Sequence, residues 1–86
     1  IELTKLFEFL EKNTNKRVVY EDIRFDARRR ELVLEGVADS YQTLAQQLQA
    51  FELASEIERY LVSQSRLVEN KARFRLTATV SEKLLQ

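Results

Sequence analysis

Glu31-Leu32-Val33-Leu34-Glu35-Gly36-Val37-Ala38 alternates residue by residue, and Asp39-Ser40 breaks the pattern before Tyr41. Leu32, Leu34, Gly36 and Ala38 fall on one face; Val33, Glu35 and Val37 fall on the other. A period of two is that of a strand with one face against a core. The period then changes. Tyr41, Leu44, Ala45, Leu48 and Phe51 recur at helical spacing, with Gln42, Gln46, Gln47 and Gln49 filling the rest. Asp39 or Ser40 is the expected N-cap, and Asp39 with Gln42 has the form of a capping box. Gly36 is the chain's one glycine and lies on the inner face. A strand glycine marks a bulge or a close approach, so a helix is expected to cross there.

Downstream, residues 57–67 read as a third strand, with Tyr60 and Val62 inward and Leu61 opposite. Val68-Glu69-Asn70-Lys71 turns the chain. Residues 72–80 alternate most cleanly. Ala72, Phe74, Leu76, Ala78 and Val80 point in, while Arg73, Arg75, Thr77 and Thr79 point out. Residues 81–86 form a tail, with a helical turn expected through Leu84 and Leu85.

Upstream, residues 1–13 carry Leu3, Leu6, Phe7 and Leu10 on one helical stripe, with Phe9 off it. Asn13-Thr14-Asn15 suits a stop. Residues 18–26 are rich in β-branched and aromatic side chains, but their alternation is interrupted. A bulge near Glu21-Asp22 would aim Tyr20 inward and marks an edge strand. Residues 26–30 connect it to the next strand. The order is α-β-β-α-β-β. Two one-sided helices cover one face of a four-stranded antiparallel sheet, with the best-patterned strands, 31–38 and 72–80, at the centre. The expected fold is an α+β two-layer sandwich, sheet order 1-2-4-3, a circularly permuted relative of the ferredoxin-like sandwich.

Composition narrows the chemistry. The chain has 86 residues, 14 basic and 14 acidic, and no His, Cys, Pro, Met or Trp. Its length fits one domain over residues 1–86. Without Cys or His there is no disulfide framework, no usual zinc ligand set and no thiol nucleophile. One Gly is too few for a P-loop or a dinucleotide fingerprint. No cofactor is expected. A net charge of zero gives no global field toward nucleic acid. No apolar run approaches the roughly 20 residues of a membrane span. The chain opens on Ile1 rather than Met, which reads as a fragment of a longer, membrane-anchored chain.

Few groups are placed for catalysis. Glu21, Asp22, Glu31 and Glu35 are the candidate acid/base carboxylates, and a solvated strand accounts for them better. Ser40, Ser63 and Ser65 have no His to activate them. Arg28-Arg29-Arg30, with Lys16 and Arg17, is the densest basic cluster and suits phosphate or lipid head groups. The open sheet face carries Val33, Val37 and Leu61 among Glu35, Arg73, Arg75 and Thr77, a pattern shared by a solvated face and a contact patch. Val33, Val37, Leu61, Arg73 and Arg75 are the candidate partner-binding residues, and both outer strands offer edges without proline. RNA-binding sheets present aromatics on the open face, which this one lacks.

With that order in place, the stretch from Leu32 to Tyr41, apolar-x-apolar-x-Gly-x-Ala-x-Ser into a helix with Leu44-Ala45 and Leu48, resembles the middle segment of PilN-like fimbrial assembly proteins. Ala72-Arg73-Phe74-Arg75-Leu76-Thr77-Ala78-Thr79 resembles their closing strand. The resemblance covers about residues 1–80. It implies an inner-membrane component of a type IV pilus or type II secretion machine, with this domain in the periplasm. An anchor and coiled coil would precede it. It further implies a non-enzymatic scaffold that pairs with itself or a related partner. The short αβ units also resemble BON domains, which implies a lipid-attachment module working through Arg28, Arg29 and Arg30. Nucleic-acid binding through Arg73 and Arg75 is the remaining alternative.

Overall fold

A computed structural model describes residues 3–85. The elements are α1 (Thr4–Asn13), β1 (Val18–Asp26), β2 (Glu31–Ala38), α2 (Tyr41–Leu53), β3 (Ile57–Val68) and β4 (Lys71–Val80), followed by a 3₁₀ turn (Glu82–Leu85). Ile1, Glu2 and Gln86, placed by the sequence reading in the first helix and the tail, lie outside the described residues. The four strands form one antiparallel sheet in the order β1-β2-β4-β3, as expected. Both helices cover the face that carries Leu32, Leu34, Ala72, Phe74, Leu76, Ala78 and Val80, all of them buried.

Each hairpin follows from its turn residues. Glu69 and Asn70 both adopt positive φ, 52° and 66°, and join β3 to β4. Two left-handed residues make a two-residue loop whose twist matches that of the strands. Between β1 and β2, Asp26 Oδ1 accepts hydrogen bonds from the backbone N–H groups of Arg28 (3.0 Å) and Arg29 (3.3 Å). That is the local bonding which makes Asp a turn former. The bulge expected in β1 is present: the register shifts between Tyr20 and Asp22, leaving Glu21 unpaired. The shift returns Ile23 and Phe25 to the inner face beside Val18 and Tyr20.

Three expectations about the helices need correction. In α1 the buried residues are Leu6, Phe9 and Leu10, while Phe7 is 52% exposed. The true stripe is 6, 9, 10 and 13, whose last member is polar Asn13; counting apolar residues alone favours 3, 6, 7 and 10. Phe9 stacks on Phe51 of α2 with ring centroids 6.3 Å apart. In α2 the buried set is Thr43, Leu44, Gln47 and Phe51, with Tyr41 and Ala45 exposed. Gln47 takes an inner position because the α1–β1 connection satisfies its amide. Its Oε1 accepts from Asn15 N–H at 2.6 Å and its Nε2 donates to Asn13 O at 2.7 Å. A buried amide is tolerated when its donors and acceptors are matched. The cap is Ser40, whose hydroxyl accepts from Thr43 N–H at 3.1 Å, and Thr43 Oγ1 donates to Asp39 Oδ1. The pair at the helix start is therefore Ser40–Thr43 rather than Asp39–Gln42.

Gly36 also differs from expectation. No helix crosses it most closely; a Cβ there would meet Val19 O at 2.6 Å and the rings of Phe74 and Tyr20 at 3.1 and 3.2 Å. The close approach comes from the neighbouring strand just before its bulge and from two aromatic side chains packed edge to face.

Candidate interaction surface

The open face of the sheet is built by the side chains that the pleat turns away from the helices. Residues in register share a face, so the strand pairing lays them out in rows. Val19, Val37, Arg73 and Arg66 form one row. Asp22, Glu35, Arg75 and Gln64 form the next, joined by the bulged Glu21. Arg24, Val33, Thr77 and Leu61 form the third.

All five predicted contact residues, Val33, Val37, Leu61, Arg73 and Arg75, therefore lie on this face. They do not form one apolar cluster. Val33 and Leu61 share the third row, while Val37 sits beyond the charged row beside Val19. Val19 is 64% exposed and was missed as a face residue, because the bulge hides its alternation with the rest of β1. Arg73 donates to Glu21 Oε1 at 2.7 Å, and Arg75 lies 3.5 Å from Glu35 Oε1. Both pairs are about half exposed, so each contributes little to stability. They also occupy the two arginines on which a nucleic-acid reading would draw.

The middle of the face is hollow. A concavity of about 640 Å³ is lined by Glu21, Glu35, Gln64, Arg66, Arg73 and Arg75, among others. A second, of about 380 Å³, shares Glu21 and Arg73 and reaches Val19, Val37 and Lys71.

The candidate carboxylates are spread along strands, each beside a cation: Glu21 with Arg73, Asp22 with Arg24, Glu31 with Arg29, Glu35 with Arg75. Ser40 is spent on the helix cap, and the Ser63 hydroxyl lies 3.4 Å from Arg75 O.

The basic cluster is taken apart by the fold. Lys16 and Arg17 sit at the far end of β1 from residues 28–30, a separation of roughly 25–30 Å at about 3.3 Å per residue. Arg30 bends back from the turn. Its guanidinium donates to Glu58 Oε2 at 2.9 Å and to Val80 O at 3.1 Å. Val80 N–H in turn donates to Arg30 O at 2.8 Å. Arg30 is thus a clamp across the sheet end, and Arg28 and Arg29 alone extend into water at that turn.

The two sheet edges differ. On β1, the Glu21 bulge interrupts the ladder and Asp22 binds Arg24 at 2.8 Å. On β3, register shifts between Ile57 and Arg59 and between Val62 and Gln64 divide the strand. Residues 64–68 then run in unbroken register against 75–71. Leu61 and Leu67 are 67% and 54% exposed.

No protein-family model matches the sequence, and no curated protein does. Solved structures do. The periplasmic domain of EpsL from Vibrio parahaemolyticus superposes with a TM-score of 0.68 at 14% identity, covering 92% of this chain and 89% of that one. The crystal structure of the periplasmic domain of XcpY gives a TM-score of 0.73 at 16% identity, covering 90% of this chain and 99% of that one. This chain has the fold of these periplasmic domains. At such identities the likeness speaks for the backbone arrangement, and the side chains of the open face are this protein's own.

Proposed function

We propose that the chain is a non-enzymatic scaffold domain of a type IV pilus or type II secretion inner-membrane complex. It works on the periplasmic side and pairs with a protein partner, itself or a related inner-membrane component. The observation that carries this reading is the fold match, which takes in about nine-tenths of the chain and belongs to two domains described as periplasmic. It agrees with the sequence resemblance drawn from residues 32–41 and 72–79. The mechanism is association: strand edges and the open face, with its exposed Val19 and Leu61, are the surfaces available for pairing. No reaction is assigned: the candidate carboxylates Glu21, Asp22, Glu31 and Glu35 stand in ion pairs, and Ser40 and Ser63 bond to the helix start and the sheet.

Size-exclusion chromatography with light scattering tests the reading. The chain is run across concentration, alone and mixed with periplasmic domains of inner-membrane assembly proteins from the same bacterium. A concentration-dependent dimer or a mixed complex is expected. A strict monomer with no affinity for any of those domains refutes it. The lipid-attachment alternative has less support, because Arg30 is committed to Glu58 and Val80.

A further inference from the structure

We propose that residues 64–68 of β3 accept a short extended segment of another protein as a fifth strand, and that this segment alternates acidic and apolar side chains. The proposal rests on the scaffold reading above and gives it an edge and a partner chemistry.

The edge is chosen by the register. In residues 64–68 the ladder to β4 is unbroken, and among the described residues the outer side of the strand meets no other strand. An edge of this kind offers its backbone groups to an added chain. The shift at Ser63 ends the open stretch and sets its length at about five residues.

The chemistry is chosen by the side chains. Arg66 stands directly opposite Arg73 on the open face. Like charges in register repel. Glu21 answers Arg73, and among the described residues no carboxylate pairs with Arg66. The neighbouring hollow is lined by Arg66, Arg73 and Arg75 and by Glu21 and Glu35, whose carboxylates answer Arg73 and Arg75. A carboxylate on the added strand, across from Arg66, would complete this row. On the other side of the same strand, Leu67 pairs with Ala72, which is fully buried, yet Leu67 itself is 54% exposed. The helical layer stops short of it. The incoming strand's next side chain falls there and is apolar. A second copy of this edge would bring another arginine and does not supply the missing charge in this way.

The probe is a short capped peptide of alternating valine and glutamate, with valine and lysine as its control. Binding to the 86-residue chain is followed by NMR titration and amide hydrogen exchange. The acidic peptide is expected to bind, to protect amides within 64–68, and to weaken as salt is raised. Arg66→Glu is expected to lower affinity about tenfold and to give the lysine peptide measurable binding. The substitution puts opposite charges in register with Arg73, so its melting temperature should stay level or rise, which separates lost binding from lost folding.

Protection elsewhere, or equal affinity for the original chain and Arg66→Glu, overturns the proposal. So does a concentration-dependent dimer that protects 64–68 by itself. A chain that pairs with an inner-membrane protein but ignores the peptide leaves the scaffold reading standing and this proposal refuted. A chain that binds the peptide at 64–68 but pairs with no such protein does the reverse.

Discussion

Replacing Gly36 by alanine tests whether the bulged edge and the aromatic pair are packed as described. The new Cβ would sit 2.6 Å from Val19 O, closer than real Cβ atoms approach anything. That oxygen belongs to backbone. Val19 pairs with Val37 and Tyr20 with Gly36 itself, so the carbonyl cannot swing away without disturbing the ladder. The other contacts, Phe74 Cζ at 3.1 Å and Tyr20 Cδ1 at 3.2 Å, are rings packed against each other with centroids 6.4 Å apart. Forcing a methyl into a filled site costs about 1–3 kcal/mol. Alanine gives back up to about 1 kcal/mol by restricting the unfolded chain. Since the main clash is with backbone, the net loss is expected near the top of the range, about 2 kcal/mol. A domain of this length has about 4–13 kcal/mol in all. With a slope of about 1 kcal/mol per molar urea, the unfolding midpoint falls by about 2 M. Equilibrium urea unfolding followed by circular dichroism reads this directly. A midpoint that is unchanged or raised refutes the reasoning, because it would mean that β1 lies farther from β2 at Gly36.

Three further perturbations probe other parts of the structure. Phe74→Ala is expected to lose about 3–5 kcal/mol, because the ring is 4% exposed at the centre of the sheet; a loss under about 1 kcal/mol in urea unfolding would place it outside the core. Gln47→Ala removes the amide that serves Asn13 O and Asn15 N–H, and should destabilise by about 1–3 kcal/mol with faster exchange of the Asn15 amide; unchanged exchange counts against the bridge. Burial pushes the Tyr20 hydroxyl above the ordinary tyrosine value, with the Thr14 contact offsetting part of the rise. Its stabilising contribution is whole below about pH 10, where the unfolded tyrosine ionises, and is lost as pH climbs through the higher folded value. Tyr20→Phe should therefore lose less stability than the parent chain between about pH 9 and pH 11, while parallel curves for the two would refute this.

The strands were legible because their code is local. The sequences of β2 and β4 alternate without interruption, and only Thr79, outward-facing yet buried, departs from that pattern in the fold; their faces, their central place and the sheet order followed from pattern alone. Even the β1 bulge announced itself, since Glu21 breaks an otherwise apolar face. The helices were legible as elements but not in rotation. Nothing along α2 says that Gln47 is buried; that depends on Asn13 and Asn15, more than thirty residues away. Phe7 and Phe9 are chemically alike, and the one that turns inward is the one that stacks on Phe51, a partner more than forty residues away. The same limit governs the surface. A run of three arginines reads as one basic patch until Glu58 and Val80 claim the third. The Arg66–Arg73 opposition emerges only from the pairing of β3 with β4, in which the register shift at Ser63 decides who faces whom.

The sheet order has a consequence for how the chain assembles. Each hairpin, β1–β2 and β3–β4, closes through a short turn, and the strand ladder between the two runs along β2 and β4, from Glu31 beside Thr79 to Ala38 beside Ala72. Until the second hairpin docks, β2 lacks its second neighbour and half of the central layer is unfinished. During synthesis the first hairpin and α2 emerge before their mate exists. The same seam is where two crowded, half-formed molecules can trade hairpins, each completing the other's sheet.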